Sequence, residues 1–260
     1  MSEPYFVTIP NRGLIHVGGT DRVEFLQGLV SNDVAMLKEQ RIQYACLLTP
    51  QGKFLHDFFL HWGNDFIFID CEGGTRAQDL HDRLNKYRLR ADVKLSIEKQ
   101  NIIYGAFNQD TEQTLNLPDP RHFRLGTRHF EKPDGLEEGF IEWDRERILL
   151  GIPDGSRDLE VERSTMLECN LDKFNAIDWG KGCWMGQELT ARMKYRSLGK
   201  KSLKTIKFDG VAPAPFSDLI LHDKVIGNMR SSCGDTGLAI IKNDAVEKLK
   251  NNEHPYRILG

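Results

Sequence analysis

The sequence predicts an α+β fold made of small units. Short runs rich in β-branched and aromatic residues are separated by turn residues, as at Pro50-Gln51-Gly52. Helical periodicity is confined to a few stretches, such as residues 75–89. Strands and helices do not alternate as a parallel βαβ series would require, so hairpins packed against helices are the expected architecture.

Length and composition limit the class of protein. The chain has 260 residues, enough for one large domain or for two to three small ones. Its contents of 40% hydrophobic and 28% charged residues are typical of a globular protein in water. The net charge of −3 gives no overall attraction to nucleic acids or membranes, so any basic site must be local.

Cysteine usage and the N-terminal sequence favour a reducing compartment. The five cysteines are widely spaced and include no Cys-x-x-Cys pair, so we expect no metal site built from this chain's cysteines. The N-terminal segment shows neither an apolar signal core nor an Arg-rich leader, and no apolar run reaches membrane-spanning length. We expect a cytoplasmic, bacterial protein.

The first hundred residues are predicted to form strands and two helices. Tyr5–Ile9 and residues 13–17 are β-rich runs on either side of a Pro-Asn-Arg turn. Asp21 is expected to cap a helix, with Glu24 completing a capping box, and Ser31-Asn32-Asp33 is expected to end it. The second helix is expected at 75–89, and further strands at 42–49, 53–61, 65–71, 92–98 and 101–107.

The remaining residues are predicted to be rich in loops and then in strands. Residues 108–139 carry many Asp, Pro, Gly, Arg and Glu residues, which indicates loops with one strand at 128–130. A helix is expected at 144–150. Strands follow at 202–208, 218–222 and 238–241, before a polar tail from Asn243. No Gly-x-Gly-x-x-Gly or Walker loop occurs, so nucleotide binding by those routes is not supported.

The stretch of greatest chemical interest is Lys181-Gly182-Cys183-Trp184-Met185-Gly186-Gln187-Glu188. Two glycines bracket a cysteine, and a helix-like run follows from Gln187 to Tyr195. Glycine permits backbone geometries that other residues resist, and a helix N-terminus favours an anion or a thiolate. Cys183, close to Lys181, is therefore a candidate for an accessible and reactive sulfur. A structural cysteine is the alternative.

This stretch resembles the K-G-C-[FY]-x-G-Q-E signature of the YgfZ family. These are folate-binding proteins related to the aminomethyltransferase (T-protein) of the glycine cleavage system. Trp184 stands where Tyr or Phe is usual and keeps a flat aromatic ring. The resemblance runs from Arg12 to about Ile241, and residues 188–192 look like the branch that includes the mitochondrial factor for [4Fe–4S] protein maturation.

The resemblance implies a ring of small α+β units around a central folate cavity, with a short C-terminal β-barrel. On this basis we expect an N-terminal folate-binding-like unit over residues 1–107. A middle α+β unit with the signature would cover 108–200, and the barrel 201–260.

The implied role is to support the assembly or repair of iron–sulfur clusters in client enzymes, including enzymes that methylthiolate tRNA. Tetrahydrofolate or a one-carbon derivative is the implied cofactor, and clients or cluster-assembly proteins are the implied partners. The resemblance places Cys183 and Lys181 as catalytic residues at the folate edge and Glu168 on the pterin ring. The residues assigned to the cofactor are Glu168, Gln187, Asp57, Asn32 and Arg192.

One departure concerns a true aminomethyltransferase, which is the second hypothesis. T-proteins carry a double aspartate that handles the folate-borne methylene group, whereas this chain has His56-Asp57. With one acid fewer, the transferase hypothesis is weakened. For Asn32, a simple loop role remains an alternative.

A third hypothesis uses the basic segment 181–207, with eight Lys or Arg residues and one acid, to bind nucleic acid. Aromatic residues interleaved with the basic ones are few, essentially Tyr195, so direct nucleic-acid binding is not expected. The same charges would attract the glutamate tail of a folate.

Overall fold

The computed structural model describes residues 3–99, 102–108, 117–196, 199–250 and 255–259. Within these ranges it contains three five-stranded sheets and seven short α-helices. The strands are β1 (Tyr5–Ile9), β2 (Arg12–Gly18), β3 (Ile42–Leu48), β4 (Phe54–Trp62), β5 (Phe66–Glu72), β6 (Lys94–Ile97), β7 (Ile103–Phe107), β8 (Leu117–Pro118), β9 (Thr127–His129), β10 (Leu136–Glu138), β11 (Lys201–Phe208), β12 (Asp218–Leu221), β13 (Lys224–Cys233), β14 (Thr236–Lys242) and β15 (Tyr256–Ile258). The helices are α1 (Arg22–Gln27), α2 (Leu37–Gln40), α3 (Thr75–Arg88), α4 (Phe140–Leu149), α5 (Gly155–Asp158), α6 (Gln187–Arg196) and α7 (Asn243–Val246).

The first sheet has the strand order β3-β4-β5-β2-β6, with antiparallel neighbours throughout. Because successive side chains alternate between faces, Phe58 and Leu60 join the core that α3 covers with Leu80 and Leu84. Tyr44 and its neighbours on the other face belong to a second core. The sheet is therefore buried on both faces. Its second face lies in the interior of the protein, where a site can form.

The second sheet has the order β10-β1-β7-β9-β8. Here β1 pairs parallel with β10 and antiparallel with β7. The division expected at residue 107 does not coincide with the sheets, because β1 and β7 lie before it and yet bond to strands of residues 117–138. This pairing could not be predicted from the order of the strands in the sequence, because the chain leaves the second sheet after β1 and returns to it only at β7.

The third sheet has the order β12-β13-β14-β11-β15 and begins at Lys201. The residues from Asn243 were expected to form only a polar tail, and this was wrong. They form α7 and then β15, which pairs antiparallel with β11 and adds Tyr256 and Ile258 to the core of this sheet. The apolar positions in a stretch of three residues were too few to predict a strand.

Helix α1 begins directly after Asp21, as predicted, but its capping and its end differ from the prediction. The carboxylate of Asp21 accepts from the main-chain N–H of Asp92, 2.8 Å away, and caps nothing in the helix. The expected capping box with Glu24 was therefore wrong, because the loop after α3 takes the carboxylate instead. The helix ends at Gln27, several residues before the expected stop. No helix in the described ranges combines the length and the apolar character needed to cross a membrane.

A buried arginine joins two helices to the third sheet. Arg147 of α4 is fully buried and donates to the carboxylates of Asp144 and Asp158, at 2.7 and 2.8 Å. Its remaining donors reach the carbonyl of Ile152 and the hydroxyl of Ser231 on β13. A planar guanidinium with every branch engaged fixes α4 and α5 against the third sheet.

We expect Arg147→Met to lower the free energy of unfolding by about 3 kcal/mol or more, because the buried carboxylate of Asp158 loses its ion-pair partner and that of Asp144 keeps only Arg157. Arg145→Met is the matched control on the same helix: Arg145 is about half exposed and pairs with Glu142, so the change should stay below about 0.5 kcal/mol. Urea unfolding followed by circular dichroism measures both. Equal losses of unfolding free energy in Arg147→Met and Arg145→Met would contradict the structural role assigned to Arg147.

Candidate functional site

The signature turn, residues 181–188, packs against the first sheet and against the end of α1. The N–H of Met185 donates to the carbonyl of Gly28, and the indole of Trp184 is buried in the second core. Leu189 on the first turn of α6 contacts Gly52 in the β3–β4 hairpin. The expected helix start at Gln187 is confirmed. These contacts hold the turn rigidly and leave little freedom between the middle residues and the first sheet.

The two glycines of the turn do different things. Gly186 has a φ of +87°, and a Cβ there would lie 2.8 Å from the carbonyl oxygen of Thr49 and 2.9 Å from the Leu48 side chain. Nothing lies within 4 Å of the corresponding point on Gly182, and its φ is not positive. Only Gly186 therefore needs the freedom expected of both.

Lys181 is buried and holds the end of α1. Its ammonium donates to three main-chain carbonyls, those of Gln27 and Val30 at 2.8 Å and that of Asn32 at 2.7 Å. These groups belong to the end of α1 and the loop after it, where carbonyls lack helical partners. Burial lowers the pKa of Lys181 to about 8, against the opposing effect of two nearby carboxylates. All three protons are engaged, so Lys181 does not direct a donor at Cys183.

Cys183 differs from the other four cysteines in its exposure. Its side chain is exposed at the start of the turn, whereas Cys46, Cys71, Cys169 and Cys233 are buried. The accessible sulfur expected from the sequence is thus observed. It is presented by a turn that Lys181 and Trp184 fix from within.

Glu168 lies at the third sheet. Its carbonyl accepts from the N–H of Leu203 at 2.7 Å, and its carboxylate Oε2 accepts from the hydroxyl of Thr165 at 2.9 Å. Among the described residues no partner is bonded to the other carboxylate oxygen. The side chain is partly exposed, so one oxygen stays available to a ligand.

Asp57 is buried on the second face of the first sheet. The hydroxyl of Tyr44 donates to its carboxylate at 2.7 Å. Burial raises the pKa of Asp57, and the Tyr44 hydrogen bond and the charge of Arg12 oppose this effect. The chain thus places a carboxyl group inside the protein in an environment that favours its protonated form.

His56 faces the opposite way from Asp57, because adjacent residues of a strand alternate. Its Nε2 lies 2.8 Å from the Asp79 carboxylate on α3, and burial lowers the pKa of His56 to about 4. Position 56 therefore contributes nothing to the face that carries Asp57. His56 thus lies on the α3 side of the strand, and the expectation that it leaves the site one acid short stays a prediction.

Arginines line the same interior as Asp57 and were missed from the sequence. Arg121 lies over the rings of Tyr44 and Phe59, at 5.5 and 4.8 Å from their centres, and Arg128 lies 3.7 Å from that of Phe59. Single arginines in a loop or a short strand are indistinguishable in sequence from surface residues. Nothing in the local pattern of residues 117–129 could have revealed their burial.

Three predicted site residues are connected. The ammonium of Lys181 bonds to the carbonyl of Asn32, whose side-chain amide donates to the carbonyl of Tyr44 at 2.8 Å. The Tyr44 hydroxyl then reaches Asp57. A continuous path of residues joined by hydrogen bonds thus links the signature turn to the interior carboxyl group.

The remaining predicted residues lie outside this path. Gln187 donates weakly to the carbonyl of Gly182 across 3.5 Å, at the start of α6. Arg192 is exposed and pairs with Glu188 one helical turn away at 2.7 Å. Glu168 has the separate contacts given above. Their roles toward a cofactor stay predictions.

A groove opens beside Asn32. It has a volume of about 560 Å³ and extends from β3 to the loop before the signature turn. Its polar walls are amides and one carboxylate, and its apolar walls are isoleucine, proline and aromatic rings. The residues that form it are Asn32, Gln40, Ile42, Gln43, Tyr44, Pro118, Pro120, Asn175, Ile177, Asp178 and Trp179.

Comparison with known proteins supports both the fold and the family resemblance. The family model described as the C-terminal β-barrel domain of CAF17 matches residues 200–258. A mitochondrial iron–sulfur cluster assembly factor IBA57 homologue of Neurospora crassa is 28% identical over 79% of this chain. The tRNA-modifying protein YgfZ of Hamiltonella defensa is 28% identical over 77% of it, with 69% of that protein covered.

The match to the Neurospora protein covers only part of that protein, and a solved structure has a similar fold. The chain spans 54% of the length of the Neurospora protein, so about half of that relative has no counterpart here. The crystal structure of glycine cleavage system aminomethyltransferase T from Bartonella henselae superposes with a TM-score of 0.71, covering 94% of this chain and 80% of the other. Sequence identity there is 14%, so this likeness shows a shared fold.

We expect Gly186→Ala to lower the free energy of unfolding by about 2 kcal/mol or more, since an L-residue in this conformation is strained and its Cβ meets the Thr49 carbonyl. Gly182→Ala, in the same turn, should change stability by less than about 0.5 kcal/mol. Thermal and urea unfolding measure both. A destabilisation of the same size for Gly182→Ala would contradict the conclusion that only Gly186 needs the conformational freedom of glycine.

Proposed function

The chain is a homologue of the IBA57 assembly factors and of YgfZ, and from this we propose that it supports the assembly or repair of iron–sulfur clusters in client enzymes. The relatives carry the names of an iron–sulfur cluster assembly factor and of a tRNA-modifying protein. The proposed partners are cluster-containing clients or other assembly proteins, and the proposed small-molecule ligand is a tetrahydrofolate.

The observation that carries the proposal is the presentation of Cys183. It is an exposed cysteine on a turn fixed by the buried Lys181 ammonium and the Trp184 ring. Thiolates are the usual ligands of iron–sulfur clusters. A single exposed cysteine supplies one ligand, so the remaining ligands of any cluster would come from a partner protein. This fits a factor that acts on clients better than a protein that keeps a cluster.

The described residues also fit a folate. The groove beside Asn32 has the volume and mixed apolar and polar walls typical of small-molecule sites. Glu168 does not line this groove; one of its carboxylate oxygens has no hydrogen bond among the described residues, and the resemblance assigns this side chain to the pterin ring. A bound tetrahydrofolate would supply a one-carbon group or a reduced pterin ring. The chain itself would bind and orient it, and Asp57 would place a carboxyl group inside the protein.

A second candidate function, folate-dependent aminomethyl transfer, is favoured by one observation. Asp57 lies in the interior with a raised pKa and a Tyr44 hydrogen bond, whereas His56 contacts Asp79 on the opposite face of the strand. Turnover with an aminomethyl donor that depends on Asp57 and not on Cys183 would assign this function. Dependence of client cluster content on Cys183 would assign the first.

We expect Cys183→Ser to abolish cluster-dependent activity in cells, because serine lacks the thiolate that iron requires. The assay is complementation of a bacterial strain lacking its own protein of this family, read as methylthiolated tRNA and as activity of a [4Fe–4S] enzyme. Asp223→Asn, exposed in the β12–β13 turn and away from the signature, is the control and should complement fully. Full complementation by Cys183→Ser would remove the thiol from the proposal.

Isothermal titration of the wild-type protein with tetrahydrofolate tests the ligand separately. We expect saturable binding that weakens as ionic strength rises, because the folate tail is anionic and residues 181–207 carry an excess of basic groups. Wild-type protein that releases no binding heat, and does not shift its melting temperature with tetrahydrofolate, would rule out the folate part. The cluster role would then rest on the complementation result alone.

A further inference from the structure

Helix α6 presents one of its sides to solvent. Glu188, Arg192 and Tyr195 recur at spacings of four and three residues, which places them on the same side of a helix, and Arg196 widens that side. The Glu188 and Arg192 side chains are 85% and 49% exposed, and Tyr195 is 74% exposed. Thr190 points the other way and is buried. We call the four exposed residues the α6 stripe.

The charge of the α6 stripe and its surroundings is positive. Glu188 is the only acid within α6. The helix carries three bases, Arg192, Lys194 and Arg196, and the exposed Lys200 follows it. Arg192 pairs with Glu188 at 2.7 Å, whereas the charged ends of Arg196 and Lys200 have no partner among the described residues. A chain of net charge −3 thus concentrates free positive charge at this helix.

The α6 stripe begins beside the exposed sulfur. The side-chain amide of Gln187 lies 3.5 Å from the carbonyl of Gly182, so the start of α6 adjoins Cys183. From Glu188 to Arg196 the helix rises about 12 Å. A standard protein interface buries about 800 Å² on each partner, a patch roughly 16 Å in radius. A protein centred on Cys183 would therefore have the first turns of α6 within its contact area.

The residue types of the α6 stripe are those of a protein interface. Arginine and tyrosine are enriched among the residues that contribute most to binding between proteins. A surface for single-stranded nucleic acid needs several aromatic rings interleaved with its bases, and α6 offers only Tyr195. An iron–sulfur cluster held by thiolates is anionic, so a positive surface next to Cys183 attracts a protein that carries one.

We propose that the α6 stripe is a docking surface for an acidic face of the protein whose cluster Cys183 helps to bind. This inference rests on the proposed function and adds to it the place and the charge of the contact. Carboxylates of the partner would pair with Arg196 and Lys200, and the Tyr195 ring would pack between them. Complementary charges of this kind orient the partner and speed its association.

Charge reversal tests the role of the α6 stripe in cells. We expect Arg192→Glu combined with Arg196→Glu to lower the amount of methylthiolated tRNA in the complementation assay about fivefold or more, because like charges across an interface repel each other. The matched control combines Arg145→Glu with Arg163→Glu, which reverses two exposed arginines that also pair with glutamates. It alters the net charge equally and should complement fully. Unchanged melting temperatures confirm that both variants fold.

Photo-crosslinking identifies the molecule that contacts the α6 stripe. Tyr195→p-benzoylphenylalanine replaces one exposed aromatic side chain by another, and illumination of cells links it to its neighbour for mass spectrometry. We expect a cluster-binding protein with acidic residues beside its cysteine ligands. Purified, it should bind the charge-reversed variant about tenfold or more weakly than wild type, and bind wild type less well as salt rises. Val211→p-benzoylphenylalanine, at a position 93% exposed after β11, should not capture it.

The results separate this inference from the proposed function. Loss of complementation with capture of such a protein supports the inference. Full complementation by the charge-reversed variant, with Cys183→Ser inactive, would overturn it and leave the proposed function standing. Capture of a protein without cluster ligands would overturn it too, as would bulk tRNA that binds wild type and not the charge-reversed variant while no protein is captured. Full complementation by Cys183→Ser would instead contradict the thiol role on which both depend.

Discussion

Burial of charge between the first and second sheets is the constraint on which the arrangement of the molecule depends. Asp70 on β5 is fully buried and pairs with Arg12 at 2.7 Å and with Arg128 of β9 at 2.5 Å. Asp119 pairs with Arg121 at 2.8 Å. Burial alone would raise the pKa of Asp70, but the two guanidinium groups hold it well below its usual range. Removing Asp70 would take the carboxylate from two largely buried guanidinium groups at once, at a cost of about 3–5 kcal/mol.

This array makes the centre of the protein polar. The rings of Phe59 and Tyr44 lie under the guanidinium groups and shield them from the cores on either side. Asp57 belongs to the same interior, where burial raises its pKa and the Tyr44 hydroxyl donates to its carboxylate. A protein whose centre is built in this way can accommodate a polar ligand, whereas an apolar core of the same size would pack closely and leave no room for one.

The signature turn divides its residues between structure and chemistry. Lys181, Trp184 and Gly186 hold the turn against α1, the second core and the β3–β4 hairpin. These roles account for an ammonium, a large ring and a glycine without any ligand. Cys183 makes no comparable contribution to packing and is the exposed member of the five cysteines. The chemical function of the motif therefore concentrates in one sulfur, and the other residues determine where it is presented.

The sequence by itself determined the fold class, most strands and helices, the family resemblance and the exposed cysteine before α6, because turn residues and periodicity are local properties of the chain. It could not determine that β1 joins the second sheet, that β15 completes the third, or that His56 and Asp57 face opposite ways into different surroundings. Those features, like the burial of Arg121 and Arg128 and the groove at Gln43 and Asp178, arise where segments distant in sequence meet. Only tertiary structure decided them, since burial and partners, and with them the raised pKa of Asp57, depend on which distant groups surround a side chain.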